Sequence, residues 1–265
     1  MKIAVCIKQV PDTEARLRLN KQGTWIEEED LPFVINESDE CALEEALQIR
    51  DKSGGGEVVV FSLGPERVRE ALRKALALGA DRAAHLHDPA FSLGDPVATA
   101  RALAAAVGRE PFDLVLTGSQ SDDLGWGVTA SLVAARLGLP HAWLVMGIEV
   151  ENGGGSARVV REMEAGKNEI FRLRLPAVLE VQAGINHPRY ASLKGIMQAK
   201  RKEIATLSRA EIGLAEGEAG AAGSRVEILK VDFPRAGTGA RILEGDVAST
   251  ASQLVELLRA EARVL

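Results

Sequence analysis

Aromatic side chains are scarce in this chain: six Phe, three Trp and one Tyr make up 4% of 265 residues. So few rings leave no stacking platform for single-stranded nucleic acid. Positive charge is not in excess either. The formal net charge is −6, whereas binding to a phosphate backbone needs a basic footprint. Together these two deficits exclude a dedicated nucleic-acid binder. Cysteine is nearly absent, and Cys6 and Cys41 lack metal-ligand spacing, a usage that fits a reducing compartment. No apolar run approaches the length that spans a bilayer. Met1 leads directly into a strand-like segment without a cationic leader, so no signal peptide is expected. The expectation is a soluble intracellular protein, cytoplasmic if bacterial, with no membrane insertion.

Several chemical signatures are missing as well. No G-x-G-x-x-G follows the first apolar run, and G-x-x-x-x-G-K-[ST] does not occur. "SGGGE" at Ser53 precedes a strand, so it reads as a helix stop and not as a phosphate loop. There is no G-x-S-x-G elbow and no obvious Ser, His and acid set. His85 and His87 are one residue apart on a strand, and His141 follows a helix. No carboxylate or thiol is paired with them in sequence, so no metal site is expected. Cys6 lies within a buried strand and reads as packing. The chain shows no bond-breaking active site.

What is present is an alternating pattern. "KIAVCIKQV" is a short apolar run without polar alternation, as expected of a parallel strand covered on both faces. "SDECALEEALQIRDKSGGG" reads as a helix capped by Ser38 or Asp39 and stopped by Gly54 to Gly56. "EVVVFSLGPE", "AAHLHD", "FDLVLTGSQ" and "AWLVMGIEVE" are further strands. Helices over "ERVREALRKALALGADR", "DPVATARALAAAVGRE" and "WGVTASLVAARLGLP" separate them. This alternation predicts an α/β fold with a doubly wound parallel sheet and right-handed crossovers. Ligands of such sheets sit beyond the carboxyl ends of the strands. The relevant loops are residues 9–36, 62–65 and 118–127.

After residue 150 the pattern changes. "ARVVREMEAGKNEIFRLRLPAVLEVQAG" predicts a β-hairpin or meander turning at Gly166 to Asn168. "GLAEGEAGAAGS" (Gly213 to Ser224) reads as a flexible linker. Val226 to Val231 reads as a short strand, and Ser249 to Arg263 as an amphipathic helix. Its apolar side, Ala251, Leu254, Leu257 and Leu258, is read as lying on a partner. The expected organisation is an α/β nucleotide-binding domain over 1–205, including the hairpin and a loop at 186–202, then a linker and arm over 206–265.

Two stretches on the predicted sheet edge are candidate binding elements. In "LTGSQSDDLGWGVTAS", a buried strand ends at Gly118 and a helix begins near Gly127 to Thr129. Oriented N–H groups there can bind phosphate. Ser119, Gln120, Ser121 and Thr129 add donors, and Asp122 and Asp123 can accept from ribose hydroxyls. The same pattern also fits an ordinary βα loop with a capping Ser or Thr. "INESDECALEE" places Asn36, Ser38 and Asp39 at a helix start on the same edge, where a simple N-cap is the plainer reading. Trp126 reads as packing, with stacking near a nucleotide as the other role.

Taken in order, "KIAVCIKQVPD", "ALEEALQIRD", "SLGPERVREALRKALALGADRA", "DLVLTGSQSDD" and "RLPAVLEVQAGINHPRYASLKGIMQAKRK" resemble the β (small) subunit of electron-transfer flavoproteins. The likeness covers nearly the whole chain. It implies the adenine nucleotide α-hydrolase-like form of the doubly wound fold, a heterodimer with an α subunit, and an arm packed on that subunit. It implies FAD carried mainly on the α subunit, AMP bound by this one, and electrons passed from dehydrogenases to a membrane-linked acceptor. Relatives that bifurcate electrons hold a second FAD in place of AMP; an adenine-nucleotide enzyme such as an ATP pyrophosphatase is a further alternative. The residues that fall on the family's nucleotide site are Cys6, Asn36, Glu37, Ser38, Asp39, Leu63, Gly118, Ser119, Gln120, Ser121, Asp122, Asp123, Val128 and Thr129. Glu37 stands where a proline is common, and Ser38 where some relatives place an aromatic against the flavin. "NHPRYASLKGIMQAKRK" corresponds to the family's recognition loop. It places Tyr190, Leu193, Ile196 and Met197 at a docking surface for dehydrogenases, with Leu193 as the anchor.

Overall fold

The protein is described from a computed structural model over residues 1–234 and 239–265. Its strands are β1 (Lys2–Cys6), β2 (Gln9–Pro11), β3 (Phe33–Ile35), β4 (Glu57–Leu63), β5 (Arg82–Leu86) and β6 (Leu114–Gly118). They continue with β7 (His141–Glu151), β8 (Ser156–Met163), β9 (Lys167–Arg174), β10 (Ala177–Val181) and β11 (Ile204–Leu207). The helices are α1 (Glu37–Lys52), α2 (Val68–Leu78), α3 (Pro96–Val107), α4 (Thr129–Leu137), α5 (Leu193–Ala199), the single turn α6 (Gly220–Gly223) and α7 (Val247–Ala260).

The main sheet has the order β11-β5-β4-β1-β6-β10-β7-β8-β9. Strands from β11 to β7 are parallel, and β7, β8 and β9 form an antiparallel meander on one end. The doubly wound parallel sheet expected from the alternation is therefore present. The central strands are apolar on both faces because each face is covered. Along β1, Ile3 and Val5 enter a core layer with Leu43 and Leu47 of α1 and Leu72 of α2. Ala4 and Cys6 point the other way, into a layer with Leu103 of α3 and Val133 of α4. A period of two on a fully covered strand thus sorts neighbours between two cores.

Helix ends follow local chemistry where the cap is simple. Asp95 accepts from the Ala98 N–H at 2.9 Å with Pro96 in the first turn, and Gly138 closes α4 in the left-handed region. At α1 the expected caps are not used. Asn36 is the N-cap and the helix begins at Glu37, while Ser38 and Asp39 are turned toward another loop.

Four other expectations need correction. The hairpin turns at Glu164–Gly166, with Ala165 and Gly166 at φ 59° and 69°, so Lys167 and Asn168 already belong to β9. Val226 to Val231 forms no strand among the described residues. Val226, Ile228 and Leu229 are exposed, and the Val231 N–H donates to the Gly23 carbonyl at 2.8 Å instead of to a strand. Gly213 to Ser224 is packed, not a loose linker: Ala219, Gly220 and Gly223 are buried. A Cβ on Gly220 would stand 2.2 Å from the Ala90 carbonyl oxygen, so small residues here permit backbone approach. Trp126 is 41% exposed and is not core packing.

Candidate functional site

The loops that topology singles out meet at the carboxyl edge of β1, β4 and β6. Asn36 is the hub. Its Nδ2 donates to the Gln120 carbonyl at 2.8 Å, and its Oδ1 accepts from the Asp122 N–H at 2.9 Å. The Ser38 hydroxyl donates to the same Gln120 carbonyl at 3.0 Å and accepts from Asn36 Nδ2 at 3.0 Å. Asp39 ties two strand ends together: Oδ1 accepts from the Gly118 N–H at 2.7 Å and Oδ2 from the Lys8 N–H at 2.8 Å. A capping-type sequence at the start of α1 has become the floor of the neighbouring loop. Gly118 has no alternative there, since a Cβ would lie 2.2 Å from Ser38 Oγ and 2.4 Å from Asp39 Oδ1.

Electrostatics follow from this burial. Burial pushes the Asp39 carboxyl up to about 7, against the pull of the Lys8 and Gly118 amides and the Lys8 ammonium. Burial, with the Asp39 charge adding to it, pushes the Cys6 thiol up to about 12. Cys6 is neutral and packs in the core, so its part in a site is confined to backbone. Lys8, which sequence reasoning passed over, reaches Asp123 at 2.6 Å and the Ser121 hydroxyl at 3.3 Å. Gln182 is the other missed residue: its Oε1 accepts from the Ser119 hydroxyl at 3.0 Å. Both lie in stretches that carry the family resemblance, yet neither is marked as a ligand by its own spacing, and both are recruited only when the strand ends converge.

The structure thus brings together Asn36, Ser38, Asp39, Gly118, Ser119, Gln120, Ser121, Asp122 and Asp123. Glu37 faces outward. Leu63 is half-buried against the core, away from that hydrogen-bonded set. Val128 is exposed, and Thr129 opens α4. No side chain caps α4, because its N-cap position is Val128. The first-turn N–H groups, which a helix leaves without internal partners, therefore face the loop. Gly125 and Gly127, both at φ 60°, bend the chain into that helix. Uncapped donors beside a glycine-bent, polar loop suit a phosphate-bearing ligand.

Two further clusters lie along the sheet. His85 and His87 stack with centroids 4.9 Å apart, and each directs one nitrogen to the Gly64 carbonyl, at 2.9 and 3.1 Å. The fold adds Glu66 to them within 4.8 Å, a carboxylate that sequence spacing did not offer. Burial lowers the His85 pKa, which keeps that ring neutral. His141 and the Ser131 hydroxyl both meet the buried Glu180 carboxylate, at 2.7 and 2.9 Å. The serine bonds the acid and not the imidazole, so this is no nucleophile relay.

The 186–202 segment stands on the outer face of α1 and α2. Tyr190 is 98% exposed, Leu193 84% and Met197 60%, and Ile196 is partly covered at 41%. Ser192 caps α5, its hydroxyl accepting from the Gly195 N–H at 3.0 Å. None of α7 is buried. No helix among the described residues is long and apolar enough to cross a membrane.

Known proteins share this chain's pattern across its length. The electron transfer flavoprotein domain family matches residues 23–212. The electron transfer flavoprotein subunit beta of Mycobacterium leprae is 41% identical over 98% of this chain and 98% of its own length. That of Methylophilus methylotrophus is 38% identical over 97% and 98%. The caffeyl-CoA reductase-Etf complex subunit CarD of Acetobacterium woodii is 38% identical over 98% of each. The chain belongs to the electron transfer flavoprotein β-subunit family, whose members are electron carriers rather than enzymes.

Proposed function

We propose that this chain is the AMP-binding half of a heterodimer, pairing with an α subunit that carries FAD. In this reading it receives electrons from dehydrogenases, for delivery to a membrane-linked acceptor. The observation that carries the nucleotide part is the uncapped start of α4 beside a loop held open by Asn36, Ser38 and Asp39. Backbone donors of Gln120, Ser121, Asp123 and Thr129, which the loop's own hydrogen bonds leave open, hold phosphate, with Val128 at the turn and the Cys6 and Leu63 strand ends beneath. Asp122, exposed at the rim, is placed to accept from a ribose hydroxyl. These residues bind and orient; none moves a proton in a reaction. The nucleotide stiffens the sheet edge on which α1 begins. FAD, when bound to the complex, supplies the one-electron chemistry.

The second part of the reading assigns the 186–202 segment to dehydrogenases. Leu193 is its apolar anchor, with Tyr190, Ile196 and Met197 around it. A small apolar contact with a polar rim suits partners that must bind and leave quickly. Within the linker and arm over 206–265, the bare side of α7 packs on the α subunit. The kinship to CarD, a subunit of a caffeyl-CoA reductase-Etf complex, gives a second reading in which a second FAD replaces AMP.

Nucleotide released by acid from the purified heterodimer and separated by chromatography decides between these. One AMP per β chain is expected. One FAD per β chain beyond that on α supports the second reading, and no adenine nucleotide at all refutes the assignment of this edge.

A further inference from the structure

Two adjacent carboxylates on α1, Glu44 and Glu45, are almost fully buried, at 5% and 6% exposure. Neighbouring buried acids on one helix are costly unless other groups satisfy them. Gln48 of the same helix donates to Glu44 Oε1 at 3.0 Å, and the remaining groups come from residues 186–189. Arg189 grips Glu44 through a fork, Nε to Oε2 at 2.8 Å and Nη2 to Oε1 at 3.1 Å, and reaches Asp51 at 3.3 Å. Asn186 Nδ2 donates to Glu45 Oε2 at 3.0 Å and to the Cys41 carbonyl at 3.0 Å. Both belong to the segment that carries Leu193, just before its exposed tip.

The other end of that segment is held as firmly. Arg73 of α2 donates to the Ala199 and Lys202 carbonyls, and Lys202 Nζ donates to the Ala80 carbonyl at 2.6 Å. Gly195 lies so close to α2 that a Cβ would stand 2.3 Å from the Ala77 carbonyl oxygen. The chain between these two fixings presents Tyr190, Leu193 and Met197 to solvent. Ordering a loose loop on docking costs free energy that a fixed mount removes in advance.

We propose that Glu44 and Glu45 are positioning residues for dehydrogenase docking, holding the Leu193 segment in its binding geometry through Arg189 and Asn186. This rests on the reading of residues 186–202 as the docking surface. The carboxylates touch neither partner nor cofactor; they act through the segment they hold. They belong to the same helix whose first turn shapes the nucleotide loop, so one element mounts both surfaces.

The test uses the intact heterodimer and a flavoprotein dehydrogenase isolated from the same cells by its ability to reduce the wild-type complex. Glu44→Gln and Arg189→Gln are compared singly and together, alongside Glu45→Gln. Each Glu44 or Arg189 change should raise the KM for the dehydrogenase about tenfold, because each breaks one charge-assisted fork. The double variant should be no worse than the poorer single, as for residues acting as a unit. The kcat, and reduction by dithionite, which needs no docking surface, should not change. Amide hydrogen exchange at residues 189–197 should quicken in every variant. Should Glu44→Gln fail to fold, Arg189→Lys at the rim keeps the charge, loses the fork and should raise KM about threefold. Unchanged KM in folded variants, or effects that multiply in the double, overturns the proposal. Leu193→Ala separates the two layers: if it raises KM while the Gln variants do not, only the positioning role fails. If Leu193→Ala also leaves KM unchanged, the docking reading itself fails.

Discussion

Two regions of this molecule expose apolar side chains, and they do so in opposite ways. In the 186–202 segment, Leu193 and Tyr190 project from a mount fixed on α1 by an Arg189 ion pair to buried Glu44 and an Asn186 hydrogen bond to buried Glu45, and by carbonyl contacts on α2. In the arm, α7 exposes Leu254 and Val255 on a helix of which no residue is buried. Its start is organised only locally, by Asp246 accepting from the Ser249 N–H at 3.0 Å. A prearranged anchor suits a partner that comes and goes. An apolar helix without a bed on its own chain suits a partner that stays, because the missing half of its packing must come from outside.

The largest effect should come from the arm. Leu254→Asp combined with Leu258→Asp should weaken association with the α subunit by about 100-fold or more, measured by fluorescence titration of labelled subunits. The melting temperature of the free chain should not move, since neither side chain is buried. Retained affinity would mean the arm is not the lasting contact, and the contrast between the regions would be lost.

A smaller effect tests the sheet edge at which α1 begins. Asp39 has an ordinary value near 3.8 and is pushed up to about 7 in the fold, first by burial. Between those values the native state keeps a proton that the unfolded chain has released. The contribution of Asp39 to stability is therefore present in full at low pH and is lost as pH rises toward 7, by at most about 1.4 kcal/mol per pH unit. Asp39→Asn should remove that slope in denaturant titrations between pH 5 and 7 while leaving the arm unaffected. A slope that persists in Asp39→Asn would assign it to another group.

Much of this arrangement is legible in the sequence, and the remainder is hidden for definable reasons. Covered strands such as "EVVVF" and helices with one apolar stripe announce themselves by period, because each period reflects local geometry. The Gly118 loop and the Asn36 stretch are recognisable as one sheet edge from topology alone. Partner choice is not local. Ser38 and Asp39 look like caps, yet the Gln120 carbonyl and the Gly118 amide claim them. Nothing local in the sequence marks Glu44 and Glu45 as buried, yet Asn186 and Arg189 cover them from more than 140 positions away. The Gly213 to Ser224 stretch reads as a linker because glycine and alanine serve flexible chain and close backbone contact equally well. Trp126 defeats the usual weighting, since a lone tryptophan in a glycine-bent loop has no core to enter.

The central claim is that the exposed, mounted segment serves dehydrogenases and the arm serves the α subunit. Stopped-flow reduction of the heterodimer carrying Leu193→Ala tests it most directly. The account predicts a heterodimer with full flavin content that a dehydrogenase reduces about tenfold more slowly at limiting concentration. Reduction at the wild-type rate, or a complex that falls apart into its subunits, would contradict it.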